Sequence, residues 1–335
     1  MAEPAPPSPS PQHPDSAAPP SGAADRLSAR ALWTRLLLYP GHTLPTAAAP
    51  VLVGIGLAAH DGVLAWGPAV LFLLSSWLVH VAGVFTDNHT LISRHPTLPE
   101  HPELLAAVAD RTLALSTLRR AIWACLVLAA LPGLALLWIG GPAVLLLGLV
   151  GLVSAVGYHG GPWPYANRGL SDPVFFVMFG VVAVAATYFL QAASLAPAVP
   201  WAQRGVALPA AAWWIGLPVG ALVTAVLVID DIRDRDWDAR KGWRTTPVRF
   251  GLAGSRAEFA ALLAFAYAVP PLMAASGWGV AVLLPLVTAP WAWRALQAVR
   301  RFDDTPNLFP WTPRVAKLGL AYAALQALGL ALSRG

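Results

Sequence analysis

Residues 211–245 read AAWWIGLPVGALVTAVLVIDDIRDRDWDARKGWRT. The first part, 211–229, is apolar and long enough to lie in a bilayer. Five aspartates follow it within nine residues, namely Asp230, Asp231, Asp234, Asp236 and Asp238. If the helix continues through them, Asp230 or Asp231, together with Asp234 and Asp238, lies on one face, because residues at i, i+4 and i+8 are neighbours on a helix.

Such a row of carboxylates repels itself, and a bound divalent cation offsets the repulsion. Mg²⁺ in proteins typically binds through one or two carboxylates together with substrate phosphates. Basic side chains stand between and after the aspartates, among them Arg233, Lys241 and Arg244. The stretch therefore predicts a metal-bridged diphosphate site at the mouth of a membrane span. The simpler alternative is a solvated charged loop in which the aspartates pair with their own arginines.

The composition of the chain indicates an integral membrane protein. Of its 335 residues 57% are hydrophobic and only 12% are charged, against about 25% charged in ordinary soluble domains. The lone cysteine, Cys125, excludes an intrachain disulfide. Nine apolar segments of spanning or near-spanning length predict an all-α protein with nine transmembrane helices. They are 43–59, 67–86, 119–139, 142–158, 173–194, 211–229, 258–276, 278–297 and 314–332.

The placement of basic residues predicts the orientation in the membrane. With the N-terminus in the cytoplasm, all of the 22 Lys and Arg residues except Arg204 and Arg334 fall in cytoplasmic regions. Cytoplasmic loops of membrane proteins carry such an excess of Lys and Arg. The net charge of +5 is therefore attributed to topology, and no nucleic-acid partner is expected. We expect a multi-pass protein of the inner (plasma) membrane, with the bilayer as its surroundings.

The acidic stretch and several other segments resemble the UbiA-type membrane prenyltransferases. The resemblance is closest to the branch that prenylates 1,4-dihydroxy-2-naphthoate in menaquinone synthesis. It rests first on the second Asp-rich motif of that family, which is similar to Asp230, Asp231, Asp234, Asp238, Gly242, Arg244, Thr245 and the run Val248–Gly251. Weaker likenesses occur in the right order at 44–54, 157–170 and 180–191.

The resemblance implies a nine-helix bundle around a central, lipid-facing cavity. Two Asp-rich loops would close its cytoplasmic end and hold Mg²⁺ and the diphosphate of an isoprenoid donor. The prenyl group would then pass to an aromatic acceptor. This domain would occupy residues 26–335, after a Pro-, Ser- and Ala-rich tail over residues 1–25 that is expected to be disordered.

The first Asp-rich motif departs from the pattern of the family. The family has Asn-Asp-x-x-Asp-x-x-x-Asp, whereas residues 86–95 read TDNHTLISRH. One carboxylate remains, Asp87, beside Asn88, and Glu100 and Glu103 replace the others only if the loop folds back. Trp243 also stands where the family commonly has a lysine.

These arguments give a set of candidate site residues. The metal ligands would be Asp87, Asp230, Asp231, Asp234 and Asp238. The catalytic residues would be Asp87, Asp230, Asp234, Asp238 and Tyr188. The substrate-binding residues would be Asn88, Arg168, Arg233, Lys241, Arg244, Tyr158 and Gln191. Tyr188 and Gln191 are polar residues three positions apart in an apolar segment, so they share a helix face, and they are packing residues in the simpler alternative.

Three functions remain open from the sequence. The leading one is Mg²⁺-dependent transfer of a prenyl group from an isoprenoid diphosphate to an aromatic acceptor. The altered first motif also permits a membrane terpene cyclase that uses the donor alone. A catalytically inactive lipid-binding or accessory homologue, or a transporter, belongs to a different class. Neither the length of the donor chain nor the acceptor can be read from the sequence.

Overall fold

A computed structural model describes residues 43–95, 102–196, 199–302 and 305–333. Within these ranges every regular element is helical, which confirms the all-α prediction. The first half contains α1 (Thr43–His60), α2 (Trp66–Arg94), α3 (Pro102–Ala109), α4 (Leu115–Gly140) and α5 (Pro142–Gly157). The predicted disordered tail, 1–25, lies outside the described residues.

The second half begins with α6 (Ser171–Val177), which continues through a π-helical segment (Met178–Val182) into α7 (Ala183–Leu195). Then follow α8 (Leu217–Lys241), α9 (Thr246–Met273), α10 (Ala289–Arg301), α11 (Thr305–Leu308) and α12 (Trp311–Leu332). A π-helical segment (Ala274–Trp278) and a 3₁₀ helix (Val280–Thr288) lie between α9 and α10, and a 3₁₀ turn (Ala210–Trp213) precedes α8.

Six of the described helical stretches are long and apolar enough to cross a membrane. They are Trp66–Arg94, Leu115–Gly140, Ser171–Leu195, Ala210–Lys241, Thr246–Trp278 and Trp311–Leu332. Two shorter apolar helices, Leu44–His60 and Pro142–Gly157, accompany them. All nine predicted segments are helical, but the count of nine membrane crossings stays a prediction.

The predicted segment 278–297 differs from a single α-helix. It runs as a 3₁₀ helix to Thr288 and becomes α-helical only from Ala289. Pro285 and Pro290 explain the break, because proline lacks the N–H that an α-helix needs and clashes with the preceding turn, yet is tolerated at the first helical positions.

Helix α8 forms the centre of the molecule. Of the most apolar 18-residue stretch within Ala210–Lys241, 83% is buried inside the protein. The residues of α8 form a large part of the main hydrophobic core. Its backbone approaches α6 and the following π-helical segment very closely, since a Cβ on Gly220 would lie 2.6 Å from the Phe176 carbonyl oxygen and 2.7 Å from the Gly180 Cα. Glycine at these positions permits the contact.

Helix α8 also extends well beyond its apolar run. It continues through the aspartates to Lys241 and ends at Gly242, which adopts the left-handed conformation (φ 74°) typical of a helix C-cap. The acidic stretch is therefore helical, which is the condition under which its aspartates share a face.

Helices α4 and α5 show the opposite pattern of burial. Only 11% of the most apolar 18-residue stretch of α4 is buried. Large apolar side chains of α4 and α5, such as Trp123, Leu131, Trp138, Leu146 and Val153, are exposed. Exposed apolar surface on this scale fits contact with lipid rather than with water.

Candidate active site

One cavity of about 770 Å³ lies between α1, α2, α4, α5, α6–α7 and α8. Most of its wall is apolar, with side chains such as Phe72, Leu126, Leu134 and Leu145. Its acidic lining gathers where α2 and α8 approach their C-terminal ends, and smaller polar groups such as Ser75, Ser76 and His80 line it nearer the start of α2. The lining at the acidic end includes Asp87, Asn88, Tyr158, His159, Asp230, Asp231, Arg233, Asp234, Asp238, Trp243 and Thr245. The cavity therefore suits a ligand with a long apolar body and a charged head.

Arg233 links two carboxylates of the second acidic segment. Its Nη1 lies 2.5 Å from Asp230 Oδ1, while Nε and Nη2 donate to Asp234 Oδ1 and Oδ2 at 2.8 and 2.5 Å. Thr312 on α12 donates to Asp230 at 2.6 Å, and the guanidinium lies 4.7 Å from the ring centroid of Phe309. The aspartates thus pair with their own arginine, as the simpler alternative proposed, but they do so while facing the cavity.

Asp238 is held at the end of α8 by two polar contacts. Lys241 Nζ lies 3.2 Å from Asp238 Oδ1, and the Thr245 hydroxyl donates to Oδ2 at 3.2 Å. The side chain of Lys241 is 0% exposed and that of Asp238 is 5% exposed. A buried carboxylate and ammonium at this depth have to be paired, since each alone would carry a large desolvation penalty.

Asp231 lies on the cavity wall and is only 8% exposed. Its carboxyl interacts electrostatically with the carboxyls of Asp230, Asp234 and Asp238 around the cavity, and also with that of Asp172 behind the wall. Asp172 in turn accepts a 2.6 Å hydrogen bond from Thr246. This concentration of acidic groups is stable only where nearby cations or protons balance the charge.

The first acidic segment reaches the same end of the cavity through α2. Asp87 and Asn88 both line the cavity. The Asp87 carboxylate contacts Nδ1 of His159, and Asn88 Nδ2 donates to the Val84 carbonyl one turn earlier at 3.0 Å. Glu100 and the side chain of Glu103 lie outside the described residues, so their proposed substitution for missing carboxylates stays a prediction.

The loop after α5 contributes Tyr158, His159 and Tyr165 to the polar end. The Tyr158 ring lies 5.4 Å from that of Phe175, and Phe175 lies 5.3 Å from Phe179. Tyr165 donates to the Ser154 carbonyl at 2.9 Å. Burial raises the pKa of its phenol to about 12, although a hydrogen bond with the Ser154 hydroxyl, 3.4 Å away, opposes the shift. Aromatic faces therefore line the cavity just below the acidic groups.

Three predicted cations do not line the cavity. Lys241 points back to Asp238. Arg168 donates to the Pro164 carbonyl at 2.8 Å and stacks 4.6 Å from the Trp163 ring centroid. Arg244 is exposed. Arg233 is thus the predicted cation that the structure brings directly onto the cavity surface.

Tyr188 and Gln191 lie at the opposite end of the molecule. The Tyr188 hydroxyl donates to Asp61 Oδ2 at 2.7 Å, just after α1. Gln191 Oε1 accepts a 3.2 Å hydrogen bond from the backbone N–H of Ala65, just before α2. Neither residue lines the cavity, so both are placed as structural ties and are not part of the proposed site. Helix periodicity indicated their shared face but not which end of the bundle they occupy.

Sequence reasoning missed His159, Trp243, Thr245 and Thr312 as parts of the polar end. His159 was not among the candidate residues, and Trp243 was noted only as a replacement of lysine. Thr312 lies far along the chain from the aspartate it contacts, and the sequence carries no signal of that contact.

The donor atoms at the polar end fit Mg²⁺. Carboxylate oxygens are its preferred protein ligands, and it keeps several waters while using one or two carboxylates with substrate phosphates. Within the described ranges, no three His, Cys, Asp or Glu side chains are already arranged to hold a metal ion. A site completed by diphosphate oxygens does not require such an arrangement.

Comparison with known proteins identifies relatives over most of the chain. The sequence profile of the UbiA prenyltransferase family matches residues 107–312. The 1,4-dihydroxy-2-naphthoate octaprenyltransferase of Mycobacterium tuberculosis is 33% identical, over 80% of this chain and 86% of the relative. The enzyme with the same name from Escherichia coli is 30% identical, over 87% of this chain and 93% of the relative.

Solved structures agree with the fold. A UbiA homolog from Aeropyrum pernix K1 superposes with a TM-score of 0.60 at 18% identity, covering 83% of this chain and 96% of the homolog. A UbiA homolog from Archaeoglobus fulgidus, bound to DMAPP and Mg²⁺, superposes with a TM-score of 0.55 at 17% identity, covering 88% of this chain and 99% of the homolog.

Proposed function

The chain belongs to the UbiA prenyltransferase family, and on that premise we propose that it transfers a prenyl group from an isoprenoid diphosphate to an aromatic acceptor with Mg²⁺. The observation that carries the proposal is a largely apolar cavity whose acidic end receives carboxylates from both α2 and α8. A prenyl diphosphate has the matching form, with an apolar chain and a head that carries up to three negative charges. Relatives named as 1,4-dihydroxy-2-naphthoate octaprenyltransferases support a dihydroxynaphthoate-type acceptor.

The carboxylates of Asp230, Asp231, Asp234 and Asp238, with Asp87 opposite, would hold the metal. When bound, Mg²⁺ supplies positive charge that stabilises the departing diphosphate. Arg233 lies among the same carboxylates and presents a planar guanidinium with several donors, the geometry that binds phosphate oxygens. Its position allows it to share the charge of the diphosphate as the donor C–O bond breaks.

The aromatic wall below the acidic end suits the carbocation that this cleavage leaves. Tyr158, Phe175 and Phe179 line the cavity in mutual contact, and the faces of aromatic rings attract cations. The apolar remainder of the cavity excludes water, which would otherwise capture the cation. A carbon of the acceptor ring then forms the new C–C bond, and the ring regains aromaticity by losing a proton from that carbon or by losing CO₂ from a carboxylate attached there.

The proposal is tested by an assay in membranes that contain the full-length protein. A radiolabelled prenyl diphosphate and 1,4-dihydroxy-2-naphthoate are supplied with Mg²⁺ or with EDTA. Asp234→Asn should lower turnover by about 100-fold, the magnitude typical of a lost electrostatic group at a reacting centre. Asp236→Asn is the matched control, because that side chain is 74% exposed and pairs with Arg235 outside the cavity.

Full Mg²⁺-dependent turnover by Asp234→Asn would contradict the site assignment. The altered first acidic segment, with one carboxylate at Asp87, keeps a terpene cyclase as the second candidate. A hydrocarbon formed from the donor without any acceptor would favour the cyclase. Absence of both products would favour an inactive, lipid-binding homologue.

We also propose that the protein lies in the plasma membrane with its acidic end facing the cytoplasm. The distribution of Lys and Arg supports this orientation. Reporter fusions after α5 and after α8 should both report a cytoplasmic location, and a reporter placed between α7 and α8 should report the opposite side. The reverse pattern would overturn the orientation.

A further inference from the structure

A continuous row of side-chain contacts joins the two acidic segments across the mouth of the cavity. It runs from Asp87 on α2 to His159 after α5, then to Trp243, Lys241 and Asp238 at the end of α8. Asp87 contacts His159 Nδ1, and the His159 ring stacks on the Trp243 indole at 4.5 Å between centroids and 22° between planes. Lys241 Nζ lies 3.6 Å from the Trp243 ring centroid and 3.2 Å from Asp238 Oδ1.

The middle of this row is buried and held from several sides. Trp243 is 8% exposed, and its backbone N–H donates to the Asp238 carbonyl at 2.8 Å. The His159 side chain is 11% exposed, and the Tyr158 ring packs edge-on against it at 4.2 Å. A stack fixed in this way restricts the rotamers of both rings, so the imidazole is held beside the Asp87 carboxylate.

Asp87 has a particular need for such support. It is the one carboxylate in the stretch 86–95, and its side chain is 40% exposed. A lone, half-exposed carboxylate near the end of a helix has several accessible rotamers. Groups that bind a metal ligand from behind fix its orientation, and losing them commonly weakens metal affinity about 10- to 100-fold.

We propose that His159 and Trp243 are positioning residues that hold Asp87 in register with the carboxylates of α8. The pair lets both acidic segments act as one site for a divalent cation and a diphosphate, although α2 contributes a single carboxylate. Trp243 acts through its aromatic face, between the imidazole and the ammonium of Lys241. This inference rests on the proposed function, because it concerns the same cation and diphosphate.

The test measures metal binding directly. The purified full-length protein in lipid nanodiscs is titrated with Mn²⁺ in the presence of inorganic pyrophosphate, and bound Mn²⁺ is followed by electron paramagnetic resonance. His159→Ala and Trp243→Ala should each weaken Mn²⁺ binding about 10-fold or more. The double variant should be no weaker than the worse single variant, since both substitutions remove the same support.

Two further variants separate positioning from general damage. Trp243→Phe keeps an aromatic face for the stack and should recover most of the affinity. Trp213→Ala removes a tryptophan that is 54% exposed and lies before α8, at the other end of the molecule, and should bind Mn²⁺ as the unaltered protein does. Thermal melting of each variant without metal verifies that it is folded.

Unchanged Mn²⁺ affinity in His159→Ala, or full additivity in the double variant, would overturn the inference while leaving the proposed function standing. Failure of Trp243→Phe to recover affinity would overturn the role of the stack. Failure of the unaltered protein to bind Mn²⁺ with pyrophosphate would overturn the metal site and, with it, this inference.

Discussion

Replacing Arg233 by glutamine tests how the acidic end is balanced in the absence of substrate. The guanidinium contacts both Asp230 and Asp234, and the substitution removes the charge while keeping a polar side chain. The carboxylates of Asp230 and Asp234 would then lie close together without the guanidinium between them. The hydrogen bond from the neutral Thr312 hydroxyl to Asp230 would remain.

The magnitude follows from the exposure of the three groups. The Arg233 side chain is 12% exposed, and those of Asp230 and Asp234 are each 17% exposed. Breaking a fully buried ion pair costs about 3–5 kcal/mol, whereas an exposed pair contributes at most about 1 kcal/mol. For nearly buried groups that keep the Thr312 bond, we expect a loss of about 2 kcal/mol in the free energy of unfolding. A loss of that size lowers the melting temperature by about 3 °C in a chain of 335 residues.

The assay is thermal melting of the purified protein in detergent, in EDTA and again with Mg²⁺ and pyrophosphate. The loss should be seen in EDTA. Mg²⁺ with pyrophosphate should raise the melting temperature of the unaltered protein more than that of the variant, because a ligand stabilises the folded state according to its affinity and Arg233 is proposed to bind the diphosphate. Arg235→Gln is the matched control, since Arg235 and its partner Asp236 are 37% and 74% exposed. Equal melting of both variants in EDTA would refute the assignment of Arg233 as the cation that balances these carboxylates.

Three other predictions concern the fold that supports the site. Gly220→Val should prevent folding or destabilise the protein strongly, because a Cβ there would lie 2.6 Å from a carbonyl oxygen of α6. The control, Gly205→Ala, places its Cβ in open space and should melt as the unaltered protein does. Expression level and melting temperature in detergent compare the two variants. Tyr188→Phe should cost about 1 kcal/mol through the lost hydrogen bond to Asp61 and leave prenyl transfer unchanged, and a large fall in turnover would return Tyr188 to the site. Burial raises the pKa of Tyr165 to about 12. The stability that the neutral, buried phenol contributes is therefore fully present below the unfolded pKa near 10 and is lost as the pH rises toward 12. The melting temperature of the unaltered protein should fall over this pH range, and that of Tyr165→Phe should fall less.

The fold was largely accessible from the sequence because hydrophobic segments of spanning length have few alternatives to a helix in lipid. The spacing of aspartates along α8 also predicted their common face, since α8 continues unbroken to Gly242. The broken segment before α10 was missed because apolar composition alone does not reveal where Pro285 and Pro290 interrupt hydrogen bonding.

The site was accessible only in part, because its contacts join segments far apart in the chain. The contact of His159 with Asp87 and its stack on Trp243 depend on how three separate elements converge. Periodicity places Tyr188 and Gln191 on one face, but only the packing of α7 shows that this end of the face lies beside Asp61, away from the acidic groups. Charge and spacing therefore located the headgroup end, and tertiary contacts decide which other polar residues belong to it.

The most direct test is an experimental structure of the protein with Mg²⁺ and a prenyl diphosphate analogue that resists cleavage. In this analogue sulfur replaces the oxygen between the prenyl carbon and the diphosphate. We predict the diphosphate at the polar end of the cavity, between Asp87 and the carboxylates of α8, with the prenyl chain running along Phe175 and Phe179 into the apolar part. A diphosphate bound elsewhere, with these carboxylates facing bulk solvent, would contradict the account.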